Sequence, residues 1–199
     1  MNVVFDLGGV VVRWQPEQLI AENFADPELR LRVRRDIIGH ADWLALDRGV
    51  LGRAEAAARG AQRTGLAVQA VTDFLDRVPP SLAAQPATVA LMRRVRAHGH
   101  RLYCLSNMQQ ASIAYLEAAH DYWDVFDGCV ISSRIKLIKP DPAIYAYLLE
   151  TFALRGDETV FIDDTAANLP PAAACGIRTI HFADAAQCEN ELRRLGCLG

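Results

Sequence analysis

The feature that most constrains this chain is the short run Val3-Val4-Phe5, which breaks at once into Asp6-Leu7-Gly8-Gly9. Apolar, mostly β-branched residues running into glycines predict a buried strand that ends in a loop. The same signature returns in the second half of the chain. Arg101 to Leu105 reads as a strand ending in Ser106-Asn107, Gly128 to Ser132 as another, Thr159 to Ile162 as one ending in Asp163-Asp164, and Arg178 to His181 as the last. Helical stretches fall between them: Ala87 to His98 stopped by Gly99, Gln109 to Ala119, Pro142 to Phe152 with proline in its first turn, Ala166 to Cys175 stopped by Gly176, and Asp184 to Leu195. Strands alternating with helices predict an α/β fold, a doubly wound, Rossmann-like parallel sheet covered on both faces.

Residues 16–82 follow a different pattern. Apolar positions recur at spacings of three and four, alanine is dense, and no strand interrupts them. Val78-Pro79-Pro80-Ser81 reads as the linker that closes the segment. The expected organisation is therefore a core of residues 1–15 and 83–199, with a small all-helical cap, residues 16–82, inserted directly after the first strand.

Composition removes several function classes. The 199 residues carry 21 basic and 24 acidic side chains, a net charge of −3, so no basic surface for nucleic acid or an anionic membrane is expected. The run Arg30, Arg32, Arg34, Arg35 reads as a solvated helix face. The five cysteines form no CxxC pair and no zinc-like spacing with histidine, which fits a reducing, cytoplasmic setting. The five histidines show no ligand spacing either and read as structural or solvated. No charged segment followed by an apolar stretch opens the chain, and no apolar run approaches the ~18 residues of a membrane span.

In a sheet of this kind ligands bind beyond the carboxyl ends of the strands, at the topological switch point. The residues expected there form a coherent set: Asp6, Ser106-Asn107, Asp163-Asp164, and Lys139-Pro140-Asp141-Pro142 just before a helix. Asp6 and the Asp163-Asp164 pair can hold Mg²⁺, a hard cation that prefers oxygen ligands. A carboxylate so placed can also attack phosphorus and split one hard step into two. Lys139 supplies a fixed positive charge for the phosphoryl oxygens, and Ser106 and Asn107 supply hydrogen-bond donors. Gly8 and Gly9 let backbone N–H groups approach the phosphate.

Phe5-Asp6-Leu7-Gly8-Gly9-Val10, Leu105-Ser106-Asn107, Lys139-Pro140-Asp141-Pro142 and Phe161-Ile162-Asp163-Asp164 resemble, in order and spacing, the four motifs of the haloacid dehalogenase superfamily. The segment Asp42-Trp43-Leu44-Ala45-Leu46-Asp47-Arg48-Gly49 resembles the cap of the branch that includes α-D-glucose-1-phosphate phosphatase and the N-terminal domain of epoxide hydrolase. The resemblance implies a Mg²⁺-dependent phosphatase with Asp6 as nucleophile and metal ligand. It also implies Ser106 and Lys139 as phosphoryl ligands, Asp164 as a direct metal ligand, and Asp163 as a ligand directly or through water. The metal ligand at Gly8 would be the backbone carbonyl. Asn168 lies where some relatives place a further acid. Arg48 is a candidate substrate contact and Trp43 a cap core residue. The implied substrate is a small phosphorylated metabolite, a hexose 1-phosphate being the favoured example; the oligomeric state stays open.

One departure matters. Most phosphatases of the superfamily carry a second aspartate two residues after the nucleophile, as general acid and base; here that position is Gly8. Three readings follow: turnover survives, as in branch members that also carry glycine; easily departing leaving groups are used, with water or a cap residue such as Asp47 supplying the proton; or the protein is slow or non-catalytic. Dehalogenation of a 2-haloacid is an alternative within the same fold, but that chemistry needs no metal and would leave the acidic pair Asp163-Asp164 without a use.

Overall fold

The computed structural model describes residues 1–199. Its centre is a five-stranded, all-parallel sheet of β1 (Asn2–Phe5), β2 (Arg101–Ser106), β3 (Gly128–Ile131), β4 (Thr159–Asp163) and β5 (Arg178–His181), in the spatial order β3-β2-β1-β4-β5. The chain grows outward from β1 to β3, then crosses back to add β4 and β5 on the other side. The switch point therefore falls between β1 and β4.

The pleat divides the strand residues between two cores. Val3 and Phe5 enter a cluster of 26 buried residues on one face, while Val4 joins 11 buried residues on the other. That double burial is why β1 reads as a continuous apolar run. Phe5 is in register with Cys104 of β2 and Ile162 of β4, so Asp6, Leu105 and Asp163 leave the sheet at the same level.

Eleven α-helices accompany the sheet: α1 (Pro16–Asn23), α2 (Pro27–Val33), α3 (Ala41–Arg48), α4 (Arg53–Thr64), α5 (Val68–Ser81), α6 (Pro86–Ala97), α7 (Gln110–Ala119), α8 (Ser132–Ile135), α9 (Pro142–Thr151), α10 (Leu169–Ala174) and α11 (Ala185–Arg194). The first five, with a π-helical turn at Arg34–Ile38, surround their own cluster of 12 buried residues, among them Ile20, Phe24, Val33, Phe74 and Leu75. Asp42, nearly buried, accepts from Arg63 at 2.7 Å and Arg59 at 3.3 Å and ties α3 to α4. The chain enters and leaves this helical unit through a neck. Val12 and Ala84 form an antiparallel bridge, with Arg13 N donating to Ala83 O and Gln85 N to Val11 O, both at 2.8 Å.

Three local expectations are corrected. Val78-Pro79-Pro80-Ser81 is not a linker but the last turn of α5; burial of Val78 and Pro79 carries the helix that far, and the two missing proline N–H groups stop it there. Ser132 does not end β3 but opens the single turn α8. Ala166–Asn168 forms a 3₁₀ turn, and α10 begins only at Leu169. Cys197 and Leu198 are buried against the main cluster, so the tail packs. No helix is long and apolar enough to cross a membrane.

Candidate active site

β1 delivers Asp6 to the switch point, where Asp6 N donates to Ile162 O at 2.9 Å and Leu7 N donates to Asp6 Oδ1 at 2.7 Å. Lys139 comes from the loop before α9. Its Nζ lies 3.0 Å from Asp6 Oδ1, 2.6 Å from Asp163 Oδ2 and 3.0 Å from Leu105 O. The lysine side chain is almost wholly buried, which is tolerable only because two carboxylates and a carbonyl surround it. Burial alone would lower the Lys139 pKa; the charges and hydrogen bonds of Asp6 and Asp163 outweigh it and hold the ammonium above its ordinary value.

The two aspartates at the end of β4 have separate surroundings. Asp163 is fully buried and its oxygens accept from Lys139 Nζ, from Thr165 N at 2.7 Å and from Asn168 Nδ2 at 3.1 and 3.0 Å. Asp164 turns to the open cavity shared with Asp6, Gly8, Asn107 and Lys139. Asp6, Asp163 and Asp164 bring one oxygen each within 4.8 Å of one another. Three carboxylates against one ammonium leave excess negative charge in a partly dry place. Burial pushes Asp6 up to about 7, with Lys139 opposing and the charges of Asp163 and Asp164 adding. Burial, then the charge of Asp163, also raises Asp164 above the usual carboxylate range. An all-oxygen donor set with surplus negative charge fits a hard divalent cation.

Ser106 adds an independent sign of a ligand. It is 1% exposed, and its hydroxyl has no hydrogen-bond partner. A buried hydroxyl left unpaired at the C-terminal edge of a strand is rare, and a bound anion would satisfy it.

Other candidate residues are placed differently from the sequence expectation. Asn107 is a clamp: its Nδ2 donates to Lys139 O at 2.9 Å and its Oδ1 accepts from Lys139 N at 2.8 Å, so its amide fixes the lysine loop. The Gly9 N–H is not free for a phosphate, since it donates to Val12 O at 2.8 Å. Gly9 is glycine for two other reasons: its φ is +77°, and a Cβ there would overlap the Asp164 carboxylate. Gly8 N–H has no backbone partner, and a Cβ at Gly8 would meet nothing within 4 Å. Arg48 does not line the cavity. It follows Asp47 on α3, and successive helical residues do not share a face, so with Asp47 turned inward Arg48 points elsewhere.

Trp14, just before α1, and Leu44 and Asp47 of α3 complete the walls of this cavity. Trp14 stacks on Trp43 with ring centroids 5.6 Å apart. Beside Gly8 a smaller pocket of about 80 Å³ is walled by Trp14, Trp43, Val78, Leu82 and Met108. Sequence reasoning favoured Trp43 as a residue of the helical core; its place in the wall of this pocket depends on a contact with a residue 29 positions away. Asn168 proves to be a buried support for Asp163, itself accepting at its carbonyl from Tyr145 Oη at 2.7 Å.

The sequence and the fold resemble those of known proteins. Over 195 residues, covering 98% of this chain and 96% of the other, the sequence is 27% identical to a sesquiterpene phosphatase, astK, of Aspergillus oryzae. It is 27% identical to (S)-2-haloacid dehalogenase 1 of a Pseudomonas species over 101 residues, which are 51% of this chain and 44% of that one. Among solved structures, the wild-type HAD family enzyme BT-2542 of Bacteroides thetaiotaomicron, in complex with magnesium and inorganic phosphate, superposes with a TM-score of 0.69. It is 22% identical, and the match covers 92% of this chain and 93% of that one. Residues 1–176 match the haloacid dehalogenase-like hydrolase family, and the chain belongs to it.

Proposed function

We propose that this hydrolase is a Mg²⁺-dependent phosphomonoesterase that works through an aspartyl-phosphate on Asp6, under a cap formed by residues 16–82. The observation that carries the reading is the convergence of Asp6, Lys139, Asp163 and Asp164 at one strand edge, with three carboxylate oxygens inside 4.8 Å. Asp6, Asp164 and the Gly8 carbonyl would hold the cation, with Asp163 acting from behind. When bound, the cation would neutralise the approach of a phosphate dianion and lower the Asp6 pKa.

The chain's own residues do the rest. One Asp6 oxygen attacks phosphorus in line with the departing oxygen. Lys139, fixed by the Asn107 clamp and by Asp163, sets a positive charge beside the equatorial phosphoryl oxygens. The unpaired Ser106 hydroxyl donates to one of them. The substrate is a small phosphorylated metabolite. A hexose 1-phosphate remains the first choice from the resemblance of the cap. A phosphate ester with an apolar organic part is the second, favoured by the pocket beside Gly8 and by the sesquiterpene phosphatase relative.

Dehalogenation ranks lower, because the acidic cluster would then have no cation to hold. The test is phosphate release from a panel of sugar phosphates, a prenyl phosphate, an acyl phosphate and an aryl phosphate, with Mg²⁺ and with chelator. Release that requires Mg²⁺ and disappears in Asp6→Asn supports the reading. Halide release from a 2-haloacid without Mg²⁺, or no turnover of any phosphate ester, refutes it.

A further inference from the structure

We propose that Asp47, carried by the cap, is the general acid and base of the reaction, in the role for which Gly8 offers no side chain. The proposal rests on the phosphatase reading above and assigns a residue that reading leaves open.

The geometry narrows the choice. The cavity over Asp6 contains three carboxyl groups, those of Asp6, Asp47 and Asp164. Asp6 is committed to phosphorus and Asp164 to the cation. No histidine, tyrosine, cysteine or glutamate lines the cavity, and Lys139 is held between two carboxylates. Asp47 alone approaches from the cap side, where the organic part of an ester must lie. It also lines the apolar pocket beside Gly8, so it stands at the boundary between the phosphoryl end and the leaving-group end. The space next to Gly8 is open, and nothing on the core blocks a group reaching in from the cap.

Asp47 is also held in place. Its carbonyl accepts from Ser132 Oγ, whose oxygen in turn accepts from Met108 N at 2.9 Å. Two residues on, at the C-cap of α3, Lys136 Nζ donates to Gly49 O at 2.6 Å. The last turn of α3 is thus pinned to the core through α8, and the side chain that follows from that backbone is directed at the cavity. Its position in the last helical turn disfavours a negative charge. Burial pushes the carboxyl up to about 8, with the nearby Gln109 amide opposing and the charge of Asp6 adding. Gln109 Nε2 completes no hydrogen bond of its own. The other charged side chains that line this cavity are Asp6, Asp164 and Lys139, and of these the charge of Asp6 acts on Asp47.

The two half-reactions balance. As the Asp6 oxygen bonds to phosphorus and the ester P–O bond breaks, the Asp47 proton passes to the departing oxygen, giving the free alcohol and the Asp47 carboxylate. Water then attacks phosphorus; its proton goes to Asp47, the bond to Asp6 breaks, and inorganic phosphate leaves.

The experiment compares wild type with Asp47→Asn, which keeps the size of the side chain and the backbone bond to Ser132. Single-turnover release is measured for a primary alkyl phosphate and for 2,4-dinitrophenyl phosphate, whose leaving group needs no proton. The expected result is a loss of about 10²–10⁴-fold for the alkyl ester, with dinitrophenol release changed less than about threefold and followed by slow turnover as phosphorylated Asp6 accumulates. Equal losses on both substrates, or undiminished alkyl turnover, overturn the assignment. If the wild type itself hydrolyses neither ester with Mg²⁺, the phosphatase reading has failed and the assignment falls with it; an active wild type with an indiscriminate variant sinks Asp47 alone.

Discussion

Ser106 offers a perturbation whose effects on stability and activity should run in opposite directions. Its hydroxyl is buried and makes no hydrogen bond within the chain. Burying a hydroxyl without a partner costs roughly 1–3 kcal/mol. Ser106→Ala removes that penalty and breaks no existing bond, so the variant should be at least as stable as wild type. A gain of 1 kcal/mol in a chain of this size corresponds to a Tm rise of about 2–4 °C. In the proposed phosphoryl complex the same hydroxyl would donate to a charged oxygen. Losing a hydrogen bond to a charged group is worth about 1.5–3 kcal/mol, or roughly 10- to 150-fold in kcat/KM. The assay is a thermal melt of the ligand-free protein beside steady-state kinetics on the best phosphate ester. A Tm that falls by several degrees with kcat/KM unchanged would refute the reasoning, because it would make Ser106 a structural hydroxyl.

Two further outcomes are expected. Gly9→Ala should cost about 1–2 kcal/mol from the left-handed backbone alone; by displacing Asp164 it should also raise the Mg²⁺ concentration needed for half-maximal activity at least tenfold, read from a metal titration of initial rates. Asp42→Asn should destabilise the protein by about 1–3 kcal/mol, since the carboxylate partners of Arg63 and Arg59 are lost. Burial works to raise the Asp42 pKa, but Arg63, His40 and Arg59 together hold it below 3.8. A lowered folded-state pKa stabilises above the unfolded value and is lost as pH falls through the folded one. The Tm gap between wild type and Asp42→Asn should therefore hold at neutral pH and close below about pH 4.

Much of the sheet was legible because each strand is buried on both faces and so announces itself as an apolar run with a polar end. Asp6 and Asp163 could be placed at one edge from that pattern alone, before any distance was known. The supporting contacts were not legible, for a physical reason: they join residues remote in the chain through side-chain geometry. The Asn107 clamp on Lys139 spans 32 residues, and nothing local distinguishes it from an amide aimed at a ligand. Gly9 looked like a phosphate-facing glycine, whereas its N–H is used by Val12 and its missing Cβ makes room for Asp164. The proline pair at the end of α5 misled because local propensity was overruled by the burial of Val78 and Pro79. Arg48 was one helical position away from the residue that does face the cavity.

The neck formed by residues 11–13 and 83–85 bears on how the molecule assembles. Bringing those two stretches together closes a loop of some 70 residues, an entropic cost of roughly 4 kcal/mol beyond a constant that does not depend on length. Once the ladder is zipped, that cost is already met, and the five helices fold as a tethered unit whose two ends are neighbours. A unit attached this way has little freedom to splay, and the bonds from Ser132 Oγ to Asp47 O and from Lys136 Nζ to Gly49 O fasten it to the core a second time. It is thereby held at two separated places, its root and the last turn of α3, and the position of Asp47 over the sheet edge follows from both.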